Sequence, residues 1–318
     1  MIVCKFGGTS TTTKAALENI FKISKSKKRK IFVFSALGKF FDKDKKITDL
    51  LIDFTLKRDK KILKEIEEKF SALKKQTNIN MNLRRYFLDI EKSNDQNYII
   101  SRGEYITAKI MAKYLHIKYI PAEKIITFEN GNIDKEKTKH KLQMFLKKHK
   151  RICTGGFYGF DAISRKIVLF NRGGGDTTGA LISLLLGAKI YEVYTDISGV
   201  KVANPNIVKN PKVIKKISYQ DMDKISSCDG KVLHKSVCEI LFKSKTKTKV
   251  INTFCLKENK TTIDNKNHKV RYICFKEQDA NNIIYVKNVS KKCEYACKKE
   301  VFEEFMNKIY QEMFKEKK

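Results

Sequence analysis

The chain has 318 residues, enough for one large domain or two ordinary ones. Hydrophobic residues make up 42% and aromatics 10%, which allows a packed core and excludes wholesale disorder. The net charge of +32 comes from 67 Lys and Arg against 35 Asp and Glu, and 58 of those cations are Lys and only nine Arg; nucleic-acid surfaces favour the bidentate fork of Arg, so no specific nucleic-acid partner is expected.

Ile2–Phe6 reads as a short buried strand, broken by Gly7-Gly8-Thr9-Ser10. A helix follows over residues 12–24, with Leu17, Ile20 and Phe21 on one face, and then a second apolar strand over residues 31–35. This strand, glycine turn, helix and strand begin a layered α/β fold. Residues 48–91 are helical and heavily charged. Ser101-Arg-Gly-Glu104 opens another helix, with Ile106, Ile110, Met111 and Leu115 apolar. Residues 117–121 form a strand and residues 135–148 an amphipathic helix. Residues 151–170 read as strand, loop and strand. Asn171-Arg-Gly-Gly-Gly-Asp-Thr-Thr178 then leads into an apolar helix over residues 179–186. Ile190–Thr195 is a strand and residues 196–199 a turn. Helices follow at Tyr219–Ser226 and residues 232–242, with a last core strand over residues 249–254.

Residues 265–318 form a separate piece. Residues 270–275 and 283–289 alternate like strands, and Val301, Phe302, Phe305, Met306, Ile309 and Met313 make a helical stripe. A piece this short is not expected to bury the stripe alone, so docking on the main domain or in a homodimer is expected. No apolar run approaches the ~20 residues of a membrane helix, so no membrane partner is expected. From the opening strand no signal peptide is expected, and eight scattered Cys without a Cys-x-x-Cys pair lead us to expect reduced thiols in the cytoplasm.

Three glycine turns follow strands and precede helices: Gly7-Gly8, Gly155-Gly156 and Gly173-Gly174-Gly175. Such turns let backbone N–H groups converge on phosphate oxygens, reinforced by helix dipoles. None has the Walker A or GxGxxG spacing, and a single one would be ordinary punctuation. Three of them, with Lys5 and Arg172 beside two, favour an anion. Lys5 ends the first strand, where α/β sheets bind ligands, although a snorkelling surface Lys would look the same.

Lys5-Phe-Gly-Gly-Thr-Ser10 resembles the opening signature of the aspartokinases, in the amino acid kinase superfamily. Seven further segments resemble that family in order. They are Ser35-Ala-Leu-Gly38, Ile47-Thr-Asp-Leu-Leu51, Arg102-Gly-Glu104, Gly155-Gly-Phe-Tyr-Gly159, the segment 171–179, Tyr194-Thr-Asp-Ile-Ser-Gly199 and Lys231-Val-Leu-His234. The resemblance spans about residues 1–264. It implies an amino-acid-kinase fold, three-layer α/β/α with a mainly parallel sheet, followed by a short C-terminal α+β tail at 265–318, a remnant of or replacement for the family's ACT regulatory region. It also implies phosphorylation of the side-chain carboxylate of L-aspartate by ATP with Mg²⁺, the first step of lysine, threonine and methionine biosynthesis.

By resemblance, Lys5, Arg172 and Asp176 would be catalytic. Ser35, Thr48, Glu104 and Arg172 would hold aspartate, with Glu104 on its ammonium. Lys5, Gly7, Gly8, Gly173, Gly174, Thr195, Asp196, Lys201, Lys231 and Val232 would bind ATP. Each has a plainer alternative: Ser101-x-x-Glu104 has capping-box spacing, Asp176 could be a helix N-cap, and Asp196 could merely form a turn. No protein metal cage is visible, so the metal would ride on the phosphates.

Some positions depart from the family. Gly175 replaces a Ser, Lys201 an aromatic residue, and Asn204-Pro205-Asn206 the usual Asp-Pro-Arg. Residues 265–318 are also too few for one complete ACT module, so inhibition by lysine or threonine is not expected. The alternatives to an aspartate kinase are a kinase for another amino acid such as glutamate, or a degenerate fold serving as a binding or regulatory subunit.

Overall fold

Strict alternation in the first two strands divides the core. In β1 (Ile2–Phe6) and β2 (Arg29–Phe34), Val3, Ile31 and Val33 point to one side, while Cys4, Phe6, Phe32 and Phe34 point to the other. A strand buried on both faces needs a helical layer on each, and the chain supplies both. The computed structural model describes all residues except Asp42, Asn171, Arg172, Lys231, Lys243, Asn259, residues 278–280, Ser290 and residues 315–318.

Between β1 and β2 runs α1 (Lys14–Ser24), capped by the Thr13 hydroxyl on the Ala16 amide. Four helices follow: α2 (Ile47–Lys57), α3 (Lys60–Thr77), α4 (Arg84–Lys92) and α5 (Gln96–Tyr114). Short strands β3 (Lys118–Tyr119), β4 (Thr127–Glu129) and β5 (Asn132–Ile133) lead to α6 (Lys135–His149), β6 (Ile152–Gly155), β7 (Tyr158–Asp161) and β8 (Ile167–Leu169). The chain continues through α7 (Gly174–Leu185), β9 (Ile190–Thr195), β10 (Lys216–Ser218), α8 (Tyr219–Ser226), α9 (Lys235–Leu241), β11 (Lys247–Asn252) and β12 (Thr261–Asp264).

The main sheet runs β10-β12-β11-β9-β1-β2-β6-β3, parallel throughout except where β12 meets β11. Apolar residues of α1 to α5 cover one face and those of α6 to α9 the other, giving the expected three layers. A second sheet, β5-β4-β7-β8, sits apart from the main one. No helix among the described residues is long and apolar enough to cross a membrane.

The C-terminal piece departs from expectation. It contains three antiparallel strands, β13 (Arg271–Glu277), β14 (Asn281–Asn288) and β15 (Lys291–Lys298), and then α10 (Phe302–Phe314). The third strand was not anticipated because seven of its eight residues are exposed, so it carries no apolar alternation. Its presence changes the fate of the helical stripe. Phe302, Met306 and Ile309 pack on Ile273, Phe275, Ile284 and Val286 of this sheet, so most of the stripe is covered within the piece itself. The opposite face of β13 lies against the main domain, where Tyr272 and Cys274 join the core shared with α8 and α9.

Candidate active site

Four strand ends meet at one rim of the main sheet. Pairing continues past the strands: the Gly7 amide donates to Tyr194 O (3.0 Å), the Ser35 amide to Phe6 O (3.1 Å), and the Gly156 amide to Phe34 O (2.9 Å). Gly7, Ser35, Gly156 and Thr195 are thereby set beside one another, at the carboxyl ends where parallel sheets bind ligands. The turn after β1 touches the turn after β2 backbone to backbone. A Cβ on Gly8 would lie 2.5 Å from Ala36 O, and one on Gly38 would lie 2.4 Å from the Thr9 nitrogen, so neither position admits a side chain.

Lys5 shares the side of β1 that faces α7. Its Nζ lies 2.8 Å from Oδ1 of Asp176, and both side chains are largely buried. Asp176 stands in the first turn of α7. The N-cap is Gly173, at φ 79°, which provides no side-chain cap, so the capping role considered for Asp176 is excluded. The helix begins at Gly174, five residues earlier than apolar periodicity alone suggests, because the glycines carry no hydrophobic signal. First-turn amides without a side-chain cap can receive an anion. The departure at Gly175 has a steric reason: a Cβ there would lie 2.6 Å from Ser35 Oγ and 3.3 Å from Lys5 Cε. Ser35, Lys5, Gly174, Gly175 and Asp176 are therefore brought together.

The Gly155-Gly156 turn differs from expectation, since it leads into β7 rather than a helix. Its value is closeness. Gly155 packs against Glu104, with a Cβ there only 3.1 Å from the Glu104 Cβ. Glu104 lies in the middle of α5. That helix starts at Gln96 and is capped by Asp95 on the Tyr98 amide, so Ser101 does not open it and the capping-box reading fails. The Glu104 carboxyl is buried, accepts the Ala36 amide, and keeps Oε2 without a hydrogen-bond partner. Desolvation pushes its pKa up to about 8, despite that amide and the positive charges of Lys5 and Arg102. Thr48 stands in the first turn of α2, next to Ile47, which packs on Gly103.

Sequence reasoning missed how Arg102 is held. Its guanidinium stacks on Tyr98 and Tyr105, at 4.3 and 4.2 Å from the ring centroids, and Glu123 lies 3.7 Å away. Tyrosines four residues before and three after an Arg on one helix were the available signal. A second missed group ties α7 to α9: the Thr177 hydroxyl meets Ser236 Oγ at 2.6 Å, and His234 Nδ1 meets the same oxygen at 2.8 Å.

Thr195, Asp196, Lys201 and Val232 line one cavity of about 650 Å³ that opens from the end of β9. The Thr195 hydroxyl donates to Asp196 Oδ1 at 3.0 Å. Asn204, Pro205 and Asn206 line it too, in a turn closed by the Asn206 amide on Asn204 Oδ1 at 2.9 Å. Arg172 and Lys231 lie outside the described residues. Among the described residues, no group of three His, Cys, Asp or Glu side chains converges as a metal site. The donor set therefore offers Asp176 as the carboxylate beside the anion cradle, already paired with Lys5.

The model of the amino acid kinase family matches residues 1–252. Aspartokinase 3 of Bacillus subtilis is 28% identical over 278 residues, covering 80% of this chain and 61% of the relative. The solved aspartate kinase of Clostridium acetobutylicum is 32% identical, with a TM-score of 0.76, covering 85% of this chain and 63% of that one. A structure of E. coli aspartokinase III in complex with aspartate and ADP shares the fold, at 19% identity and a TM-score of 0.75, covering 86% of this chain and 67% of that one. The chain thus spans less than two thirds of the length of the Bacillus and Clostridium proteins.

Proposed function

The chain belongs to the amino acid kinase family, and from that premise we propose that it transfers the γ-phosphoryl group of MgATP to the side-chain carboxylate of L-aspartate, giving 4-phospho-L-aspartate and ADP. The observation that carries this reading is Glu104: a buried carboxyl within electrostatic reach of Lys5 keeps one oxygen without a hydrogen-bond partner and so is open to a further donor. The ammonium of an amino acid supplies it.

Binding there orients the substrate with its side-chain carboxylate toward Lys5. Ser35 and Thr48 flank the bound amino acid, and by its motif Arg172 is assigned a two-point grip on a carboxylate of aspartate. The nucleotide lies with its terminal phosphate over Gly7, Gly8 and the first turn of α7, and its nucleoside and inner phosphates in the cavity beginning at Thr195 and Asp196. Val232 lines that side, and Lys231 is assigned to the nucleotide by its motif. The aspartate carboxylate is ionised at neutral pH and needs no general base. It attacks the γ-phosphorus in line, and the Pγ–O bond to ADP breaks. Lys5 balances the charge that spreads over the transferring group, while Asp176 fixes the Lys5 ammonium in place. Mg²⁺ enters as part of the nucleotide substrate.

The similarity to aspartokinases extends the reading further: a cytoplasmic homodimer, a catalytic domain over residues 1–264, and a product that feeds lysine, threonine and methionine biosynthesis. These finer statements rest on the motifs and relatives together. Steady-state ADP release, measured with a panel of amino acids, tests the reaction. Turnover with aspartate at least tenfold faster than with glutamate supports the reading. Faster turnover with glutamate would reassign the substrate, and ADP binding without turnover on any member of the panel would leave a nucleotide-binding subunit.

A further inference from the structure

We infer that strand β13 of the C-terminal sheet is a wall of the nucleotide cavity, and that Lys276 on it supplies a cation to the nucleotide's phosphates. The inference rests on reading that cavity as the nucleotide site.

The cavity has two sides. Thr195, Lys201 and the 204–206 turn form one, and residues 273–277 of β13 form another. The strand is fixed there by its own backbone. The Ile273 amide donates to Val202 O at 2.7 Å, and the Phe275 amide donates to Asp229 Oδ1 at 3.1 Å. Alternate amides of one strand edge thus bind the main domain, on either side of Cys274.

Alternation then decides where each side chain goes. Ile273 and Phe275 enter the core of the C-terminal piece, where the Phe275 ring meets Phe302 edge-on at 4.6 Å. Tyr272 and Cys274 take the opposite side, toward the main domain. The Tyr272 hydroxyl reaches Asp221 at 3.3 Å, and the Cys274 thiol is in hydrogen-bonding contact with Cys228, which also lines the cavity. Lys276 is next in that series and lines the cavity with an exposed side chain.

The charge of the cavity gives Lys276 its role. Among the described lining residues the cations are Lys201 and Lys276, and the turn 204–206 is neutral. Of the lining carboxylates, Asp229 accepts the Phe275 amide and Asp196 the Thr195 hydroxyl. Glu277, which follows Lys276 on the strand, is the third carboxylate of the lining. A polyphosphate entering beside Asn206 therefore meets its positive partner on β13. Nucleotide binding and the seating of the C-terminal sheet are then linked, since the ligand contacts both sides.

Calorimetric titration of MgADP into the whole chain tests this without depending on turnover. Lys276→Ala should weaken MgADP about three- to tenfold, Lys276→Glu more, and both losses should shrink as salt rises. Lys298→Ala, on the exposed strand β15, should change nothing. Asn206→Arg should restore affinity to Lys276→Ala by returning a cation to the facing turn. Unchanged MgADP affinity in Lys276→Glu, with the parent binding normally, would overturn the inference alone. A parent that binds no MgADP would overturn the nucleotide reading beneath it as well.

Discussion

Replacing Glu104 by Gln removes a charge while keeping shape, and the burial of this residue sets the size of the effect. The carboxyl is held up to about 8 by desolvation, against a usual 4.5. At pH 7 about nine tenths of the free protein therefore carries the proton. An ammonium docking on Glu104 stabilises the ionised form, so substrate binding at pH 7 expels about one proton. Affinity for aspartate should rise nearly tenfold from pH 6 to 7 and level off above about pH 8. The Gln variant should bind aspartate about ten- to hundredfold more weakly, through loss of one charge-assisted hydrogen bond. It should also lose both the pH dependence and the proton release. Titration calorimetry with saturating MgADP, in two buffers of different ionisation enthalpy, counts the protons directly. Stability responds with the opposite sign. The folded protein keeps a proton that the unfolded chain gives up, so Glu104 makes stability fall as pH rises from about 4.5 to 8, by up to about 1.4 kcal/mol per pH unit. Glu104→Gln should flatten that slope. Proton release of zero in the parent, or parent-like aspartate affinity in Glu104→Gln, would refute the assignment of Glu104 to the ammonium.

Lys5→Ala should lower kcat by about 10²–10³-fold, with much smaller changes in KM, because its charge matters most in the transition state; single-turnover rates within a few-fold of the parent would remove it from the mechanism. Arg29→Met should destabilise the fold by about 3 kcal/mol, since it strands the buried Glu192 that Arg29 grips at 2.7 and 3.2 Å. Its kcat at 25 °C should not change, because the Glu192 carboxylate lies with Cys4 and Tyr194 on the opposite face of the sheet from Lys5; a urea midpoint equal to the parent's would refute the stabilising role. Gly103→Ala should cost about 1–3 kcal/mol by overpacking, because its Cβ would meet Ala36, Ile47 and Leu51 at 3.0 to 3.3 Å, and thermal melting at the parent temperature would contradict that crowding.

How legible each part was depended on the kind of signal it carries. β1, β9 and α8 were readable to the residue, because apolar runs end at Gly, Thr or a capping Ser. The start of α5 was misread because Ser101-Arg-Gly-Glu104 imitates a cap, while the true cap, Asp95, stands among polar residues that carry no periodicity. α7 was begun too late for the reverse reason: its first turn is glycine, which has helical geometry without a helical composition. The convergence of Lys5, Ser35, Gly175 and Asp176 was legible only as separate motifs at strand ends; their contacts arise from strand order, which the sequence does not print. The wall of residues 273–277 had no local signal at all. Cys274 and Lys276 reach the cavity because β13 pairs its edge with Val202, some 70 residues away along the chain.

Trapping the product with hydroxylamine tests the central claim most directly. An acyl phosphate reacts with hydroxylamine at its carbonyl, releasing phosphate and leaving a hydroxamate that mass spectrometry identifies. The account predicts β-aspartyl hydroxamate, formed in proportion to ADP, only when aspartate, MgATP and the intact Lys5 are all present. ADP formation without any hydroxamate, or γ-glutamyl hydroxamate as the main product from a mixture of the two amino acids, would contradict it.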